Sequence, residues 1–164
     1  MLTAVTSGVK ISQLIVRKEV AMNFQDCAKF ANEYPVCYVA TTEENQPRVR
    51  ALRMWFADDK GFYFQTESVK SLCKQLKNNN KVELCFYAPG PNAGTMLRVT
   101  GKVEFVNDLA FKSKVLTDRP FLKALGIKGP EDPLLVIFHV YSGEAYFWTM
   151  ANNMKESEIE KIKF

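Results

Sequence analysis

Short segments that alternate apolar and polar residues, separated by turn-forming residues, constrain the fold of this chain more than any other feature. Three of them follow one another over residues 36–42, 48–57 and 62–66, and the connections at 43–47 and 58–61 have hairpin length. Successive side chains of a strand point to opposite faces of a sheet, so a period of two indicates strands with one buried face. The sequence therefore predicts an antiparallel sheet.

The rest of the chain adds further strands and a few short helices. A strand is predicted over 82–87, a long one over 95–106, and a hairpin of residues 134–148 that turns through Ser142 and Gly143. Helical periodicity predicts helices that begin at about positions 23, 68, 108 and 120. Six or seven strands with short peripheral helices predict an α+β domain organised around an antiparallel barrel.

Composition excludes several classes of function. A chain of 164 residues that is 47% hydrophobic can bury the core of one domain. Its net charge of +4 at pH 7 is too small, without a patterned basic face, to indicate a nucleic-acid partner, and no apolar stretch is long enough to predict a membrane span. One histidine, His139, and four cysteines without C-x-x-C spacing give no support for a metal site. We expect the cysteines to be buried thiols of a cytoplasmic protein.

The folded domain is predicted over residues 23–150. Asn23, with Asp26 three residues later, has the spacing of a helix N-cap. Residues 1–22 are an N-terminal extension with three open interpretations: an added strand or helix, an arm that contacts a partner, or an artefact of where the sequence was taken to begin. Residues 151–164 are charged and are expected to form a C-terminal tail, either a peripheral helix or a loose segment.

A basic strand followed by a helix with polar residues at its start predicts a site for an anion. Three arginines interleave with apolar residues over 48–53, and Ser68 is a good N-cap for a helix that carries Lys70 and Ser71 in its first turn. Apolar residues at i, i+3, i+4 and i+7 from Val69 give this helix a face that packs on the sheet. Free N–H groups at the positive end of a helix bind phosphate readily. The alternative is that the lysines only form the solvated side of a surface helix.

The order of these segments resembles a known superfamily. A helix, three strands, a helix with Lys-Ser at its start, a strand, and then an Arg-Val-x-Gly-Lys-Val strand at 98–103 follow one another. This order is similar to the pyridoxamine 5′-phosphate oxidase-like FMN-binding split-barrel superfamily, and within it to the small nitroimidazole-resistance-related members. The similarity extends over residues 23–148. It implies a split barrel of six to seven strands and a homodimer that binds FMN in the cleft between its subunits.

The resemblance also implies which residues bind the cofactor, and it assigns no catalytic side chain. The implied cofactor-binding residues are Arg50, Ala51, Leu52, Gln65, Thr66, Lys70, Ser71, Met96 and Trp148. Of these, Lys70 and Ser71 would hold the phosphate, and Gln65 and Thr66 would close on the flavin or ribityl chain. Met96 stands where the oxidases place a flavin-contacting glutamine from the other subunit, and its thioether cannot make the same hydrogen bonds.

The function that the resemblance implies is electron or hydride transfer from NAD(P)H to a small oxidised acceptor, such as a nitroaromatic compound. The alternative is a non-catalytic module that binds or senses flavin, haem or deazaflavin. The Arg-x-His-x-Arg-type segment with which vitamin B6 oxidases end is replaced here by a charged sequence after Trp148, so pyridoxine phosphate oxidation is not expected. The segment Asp118-Arg-Pro120 is similar to a short oxidase segment, but the sequence assigns it no role.

Overall fold

The fold is built on one antiparallel sheet, seen in a computed structural model that describes residues 21–164. The predicted extension over residues 1–22 therefore lies almost entirely outside the described residues. In chain order the elements are α1 (Phe24–Glu33), β1 (Val36–Glu43), β2 (Gln46–Arg53), β3 (Phe56–Asp58), β4 (Gly61–Glu67), α2 (Ser71–Asn78), β5 (Lys81–Ala88), β6 (Thr95–Val106), α3 (Leu109–Asp118), α4 (Phe121–Ala124), β7 (Leu135–Thr149) and β8 (Ile162–Lys163). Short 3₁₀ segments lie at Pro91–Ala93 and Met150–Glu158.

The two ends of the sheet are neighbours in the chain. The strand order is β2-β1-β5-β6-β7-β4-β3, with β8 added to β7, yet only Met54 and Trp55 separate β2 from β3. The N–H of Met54 donates to Pro35 O at 2.7 Å, and the N–H of Trp55 donates to Tyr63 O at 2.8 Å. The sheet therefore curls back on itself without closing, which confirms the predicted α+β fold with an antiparallel split barrel.

Two apolar cores lie on opposite sides of the curled sheet. The interior of the barrel is filled by aromatic and aliphatic side chains, among them Phe62, Phe64, Phe86, Phe138 and Leu84. A second cluster, which includes Val115, Leu122, Ile127, Leu135 and Ile137, lies where α3 and α4 cover β7. Because residues of a strand alternate between faces, Phe64 and Ile137 of neighbouring strands serve different cores.

The first helix begins as its sequence predicts. Asn23 Oδ1 accepts from the N–H of Asp26 at 3.2 Å, and the Asp26 carboxylate accepts from the N–H of Asn23 at 2.9 Å. This reciprocal capping box satisfies two N–H groups that would otherwise lack an acceptor. The helix buries Phe24, Cys27 and Ala31 against the sheet.

The hairpin predicted through Ser142 and Gly143 is wrong, because β7 runs through both residues as one strand. Lys102 pairs with Ser142 and Val103 pairs with Val140, so the pairing skips one residue and forms a β-bulge. A bulge interrupts the period of two as a turn does, and it bends the strand instead of reversing it. Gly143 permits the bend: a Cβ there would lie 1.8 Å from Thr100 O.

Two boundaries near the predicted anion site also differ from expectation. The strand predicted over 48–57 is broken after Arg53, and the next helix begins at Ser71 instead of Ser68. The N–H of Ser68 donates to Leu134 O at 2.9 Å and so continues the ladder between β4 and β7. Val69, predicted to lie on the packed face, is 80% exposed.

The C-terminal residues are packed on the barrel instead of forming a loose segment. After the 3₁₀ segment, β8 pairs with β7, and the ring of Phe164 stacks on Phe24 with centroids 4.5 Å apart. Within the described residues, no helix is both long and apolar enough to cross a membrane.

Candidate functional site

The start of α2 is an uncapped helix N-terminus. Lys70 occupies the N-cap position, and no side chain accepts hydrogen bonds from the first-turn N–H groups. Ser71, the first helical residue, is exposed, and the Lys70 ammonium is paired with the Glu67 carboxylate. The helix start therefore brings together N–H groups, a hydroxyl and an ammonium, and a phosphate bound there would compete with Glu67 for that ammonium.

Thr66 adds an unsatisfied hydroxyl four residues before the helix cap. The residue is only 2% exposed, and its Oγ1 has no hydrogen-bond partner among the described residues. Buried hydroxyls are nearly always hydrogen-bonded, because leaving one unpaired costs free energy. The Thr66 hydroxyl is therefore a candidate hydrogen-bond donor for a ligand bound at the start of α2.

Arg50 lies beneath α2 and holds the helix to the sheet by hydrogen bonds. Its guanidinium donates to Thr41 Oγ1 and to Gln75 Oε1, both at 2.7 Å, and to Val39 O at 3.2 Å. Gln75 is buried on the inner face of α2, and it also accepts from Thr41 Oγ1 at 2.6 Å. Burial lowers the pKa of the Arg50 guanidinium, which nevertheless stays charged. Arg50 thus fixes α2 on the sheet and adds positive charge beneath the helix.

The neighbours of Arg50 on β2 are divided between the two faces of the sheet. Ala51 is exposed and lies opposite Tyr38 of β1, whereas Leu52 is half-buried and packs against the barrel core. Only Leu52 and Arg50 therefore face the interior side of the strand.

Gln65 on β4 is held by Arg119, a residue to which the sequence assigned no role. Arg119 follows α3, and its Nη1 donates to Gln65 Oε1 at 2.8 Å and to Arg53 O at 3.2 Å. Its Nη2 donates to Met54 O. The only signal in the sequence was the resemblance of residues 118–120 to an oxidase segment.

Met96 and Trp148 form a pair in a different part of the molecule. They face each other across β6 and β7, and Tyr87 of β5 pairs with Met96 on its other side. Gln65 pairs with Ile137 of β7, and Ile137 lies eleven positions before Trp148 on the same strand. At about 3.3 Å per residue, this is roughly 36 Å of strand, an upper limit because the strand bends. One chain therefore does not bring all nine predicted residues together.

The sheet face that carries Met96 and Trp148 has a large exposed apolar area. Its exposed residues in the described chain include Val36, Tyr38, Val49 and Tyr87, of which Tyr38 is 53% exposed. At its centre Arg98 is paired with Glu83 and also with Glu156 at 3.4 Å. Exposed apolar patches of this kind are typical of protein interfaces.

The same face carries a buried phenol held by the C-terminal segment. Tyr146 donates to Glu156 Oε1 at 2.6 Å. Burial, and then the hydrogen bond with the carboxylate, raise the pKa of Tyr146 to about 12. This tyrosine therefore stays protonated near neutral pH.

Both ring nitrogens of the single histidine have partners within the protein. The ring of His139 stacks on Tyr63 with centroids 4.1 Å apart and is 5% exposed. Its Nδ1 lies 3.1 Å from Glu104 Oε1, and its Nε2 lies 2.9 Å from Lys60 O. Neither ring nitrogen is free to bind a ligand or transfer a proton in this arrangement.

The cysteines are also unreactive in their present surroundings. Cys27, Cys37 and Cys73 are buried and Cys85 is half-buried, all four as free thiols. Desolvation raises the pKa of each thiol, that of Cys27 to about 12. Because the thiolate is the nucleophile, none of them is prepared for nucleophilic catalysis at neutral pH.

Comparison with known proteins identifies the family. The family model described as pyridoxamine 5′-phosphate oxidase matches residues 25–149. The chain belongs to this family. The match covers the barrel from α1 to the end of β7 and confirms the superfamily that the order of segments suggested. A search of curated proteins gave no match.

Several solved structures share the fold. A NimC/NimA family protein from Clostridium acetobutylicum has a TM-score of 0.68 and 24% identity, covering 85% of this chain and 92% of that one. A general stress FMN/FAD binding protein from Xanthomonas citri has a TM-score of 0.60 and 16% identity, covering 76% and 87%. The haem storage protein of Vibrio cholerae has a TM-score of 0.57 and 12% identity, covering 78% and 95%.

Proposed function

We propose that this member of the pyridoxamine 5′-phosphate oxidase family is an FMN-binding oxidoreductase that functions as a homodimer. The observation that carries the proposal is the orphaned hydroxyl of Thr66 near the uncapped start of α2. The resemblance implies that Thr66 closes on the flavin or ribityl chain; we infer instead that its hydroxyl and the first-turn N–H groups donate to the FMN phosphate. Its two negative charges would be offset by the positive end of the helix and by Lys70, whose ammonium would exchange Glu67 for the phosphate.

FMN is favoured over other phosphate compounds by the family and by the neighbours in fold. One structure with the same fold is described as FMN/FAD-binding, which shows that such a barrel can hold a flavin. The isoalloxazine ring needs an apolar slot with a few hydrogen bonds. Gln65 of this chain would supply a polar contact to that slot, and Ala51, on the outer face of β2, would supply a small apolar one.

A second copy of the chain would complete the site. Met96 and Trp148 lie too far along the sheet from Gln65 to reach the same ring in one chain, and they lie on a face rich in exposed apolar residues. If this face packs against another copy, Trp148 of one chain would cover the flavin held by the other. The interface would also remove the exposed apolar side chains from water.

The bound flavin would supply the redox chemistry, taking electrons or hydride from NAD(P)H and passing them to a small oxidised acceptor such as a nitroaromatic compound. The protein's own residues would bind the phosphate, orient the ring and exclude water. This division suits the described residues, because His139 is occupied by Glu104 and Lys60 and the thiols are protonated. Electron transfer through flavin requires no acid or base side chain.

The second candidate is a non-catalytic module that stores or senses a cofactor. A haem storage protein shares the fold. Histidine ligation of haem iron is disfavoured here, because the chain's one histidine is buried and both of its ring nitrogens have protein partners. A flavin or deazaflavin module is the stronger form of this alternative.

The test is an absorption spectrum of the purified protein after incubation with FMN and gel filtration, followed by anaerobic addition of NADH or NADPH. The proposal predicts a co-eluting flavin band that the nicotinamide bleaches and a nitroaromatic compound restores. A bound flavin that neither nicotinamide reduces would favour the non-catalytic module. A protein that retains no FMN would refute the proposal, and the same titration with deazaflavin would then test that cofactor.

A further inference from the structure

Arg119 joins three separate elements at the split of the barrel. Its guanidinium donates to the carbonyl oxygens of Arg53 and Met54, at the end of β2, and to Gln65 Oε1 on β4. Arg119 itself lies at the end of α3, outside the sheet, and is partly buried. A single side chain therefore links the end of β2 to β4 across the split.

The contact with Arg119 determines which end of the Gln65 amide is available. Arginine has five N–H donors and no acceptor, so it can bind only the carbonyl end of a glutamine side chain. Gln65 Oε1 is taken by Arg119 at 2.8 Å, and no acceptor among the described residues binds its Nε2 group. Arg119 therefore directs the Oε1 end of the Gln65 amide towards itself, and the two N–H donors of Nε2 are the groups left for a ligand.

We propose that Arg119 is a positioning residue, which orients the Gln65 amide so that it donates to the acceptor edge of the bound flavin ring. This inference rests on the proposed FMN function. The pyrimidine edge of a flavin presents mainly acceptors, the carbonyl oxygens and ring nitrogens, and these gain negative charge when the ring is reduced. A donor held in place therefore stabilises the reduced ring more than the oxidised one, whereas a freely rotating amide could present either end.

A purely structural role for Arg119 is the alternative, since its bonds to Arg53 O and Met54 O also stabilise the fold. The substitutions Gln65→Glu and Arg119→Lys separate the two roles. In Gln65→Glu the carboxylate keeps a charge-assisted contact with Arg119 but loses both donors. In Arg119→Lys an ammonium replaces the planar group and cannot hold three acceptors in the same geometry.

The experiment measures FMN affinity, the reduction potential of bound FMN and the melting temperature of each variant. For Gln65→Glu we expect an unchanged or higher melting temperature, FMN affinity lower by about tenfold, as for one lost hydrogen bond, and a more negative potential. For Arg119→Lys we expect a more negative potential as well. In a Gln65→Ala background Arg119→Lys should not change the potential further. An Arg119→Lys potential equal to that of the parent, or an equal shift in both backgrounds, would overturn the positioning role.

A measurement without flavin separates this inference from the proposed function. In the free protein, the Gln65 side-chain N–H₂ resonances should have the nitrogen relaxation of an ordered group, and Arg119→Lys should give them the relaxation of a mobile one. Exposed Lys123→Ala is the control and should leave them unchanged. Resonances insensitive to Arg119→Lys would refute the orientation. A parent protein that binds no FMN, with the resonances behaving as expected, would refute the proposed function and leave the orientation of Gln65 established.

Discussion

Replacing Thr66 with valine should stabilise the free protein and weaken FMN binding. The two side chains have nearly the same shape, so Thr66→Val removes the hydroxyl without opening a cavity. In the free protein this hydroxyl is buried and has no partner among the described residues, and an unpaired buried polar group costs about 1–3 kcal/mol. The free energy of unfolding should therefore rise by roughly that amount, or about 2–4 °C in melting temperature for each kcal/mol in a chain of this size.

The same substitution should weaken the FMN complex, because the bound phosphate would lose a hydrogen bond. A hydrogen bond to a charged group contributes about 1.5–3 kcal/mol, which corresponds to an affinity loss of about 10- to 150-fold. Riboflavin has no phosphate, and its affinity should change little. The opposite signs for stability and affinity distinguish a ligand-binding hydroxyl from one that supports the fold.

Thr41→Val is the matched control. Thr41 is also buried, at 3% exposure, but its hydroxyl donates to Gln75 and accepts from Arg50. Its loss removes one hydrogen bond from each partner and should lower the free energy of unfolding by about 1–3 kcal/mol. Urea denaturation without cofactor and titration with FMN measure both effects. The reasoning is refuted if Thr66→Val destabilises the free protein as Thr41→Val does, or if its FMN affinity equals that of the parent.

Three further substitutions test other parts of the account. Lys70→Ala should weaken FMN by about tenfold and leave riboflavin binding unchanged, and an equal loss for both ligands in a fluorescence titration would contradict the phosphate assignment. Gly143→Ala should lower the urea midpoint by an amount equivalent to about 3 kcal/mol or prevent folding, because its Cβ would lie 1.8 Å from the carbonyl oxygen of Thr100. Gly129→Ala is the control: a Cβ there meets no atom within 4 Å, so the substitution should be neutral or slightly stabilising. Hydrogen bonds from Lys114 and the Trp55 indole lower the pKa of Asp118. As the pH falls, the Trp55 indole N–H resonance should therefore stay constant until the pH is below the ordinary pKa of an aspartate, and should shift only there. The depressed pKa stabilises the fold at pH values above the pKa of Asp118 in the unfolded chain, and this stabilisation is lost as the pH falls through its pKa in the folded protein. Asp118→Asn should abolish the pH-dependent shift of the indole resonance, and a shift that persists in this variant would contradict the assignment.

Local sequence patterns predicted most elements because local forces determine them. The capping box of Asn23 and Asp26 involves residues three positions apart, and its geometry follows from residue type. The alternation that predicts β1 and β5 reflects one buried face in each strand. These features need no knowledge of the rest of the fold.

The features that the sequence did not predict depend on contacts between distant segments. The helix start moved from Ser68 to Ser71 because the N–H of Ser68 donates to Leu134 O, a partner sixty-six positions away in the chain. The bulge in β7 arises from its register with β6 and looks like a hairpin turn in the sequence. Arg119 was missed as part of the site because its partners are backbone carbonyls and Gln65, all more than fifty positions earlier.

The measurement that tests the central claim most directly is the FMN content of a mixed dimer. Lys70→Ala and Trp148→Ala chains carry different affinity tags and are purified together through both tags. Each variant alone should bind FMN about tenfold more weakly than the parent, so FMN is supplied at a concentration that fills the parent site and leaves most of the variant sites empty. If each site combines Lys70 of one chain with Trp148 of the other, the mixed dimer contains one intact site and should bind one FMN per dimer. If the mixed dimer binds no more FMN than either variant alone, the site does not lie between two copies and the account is wrong.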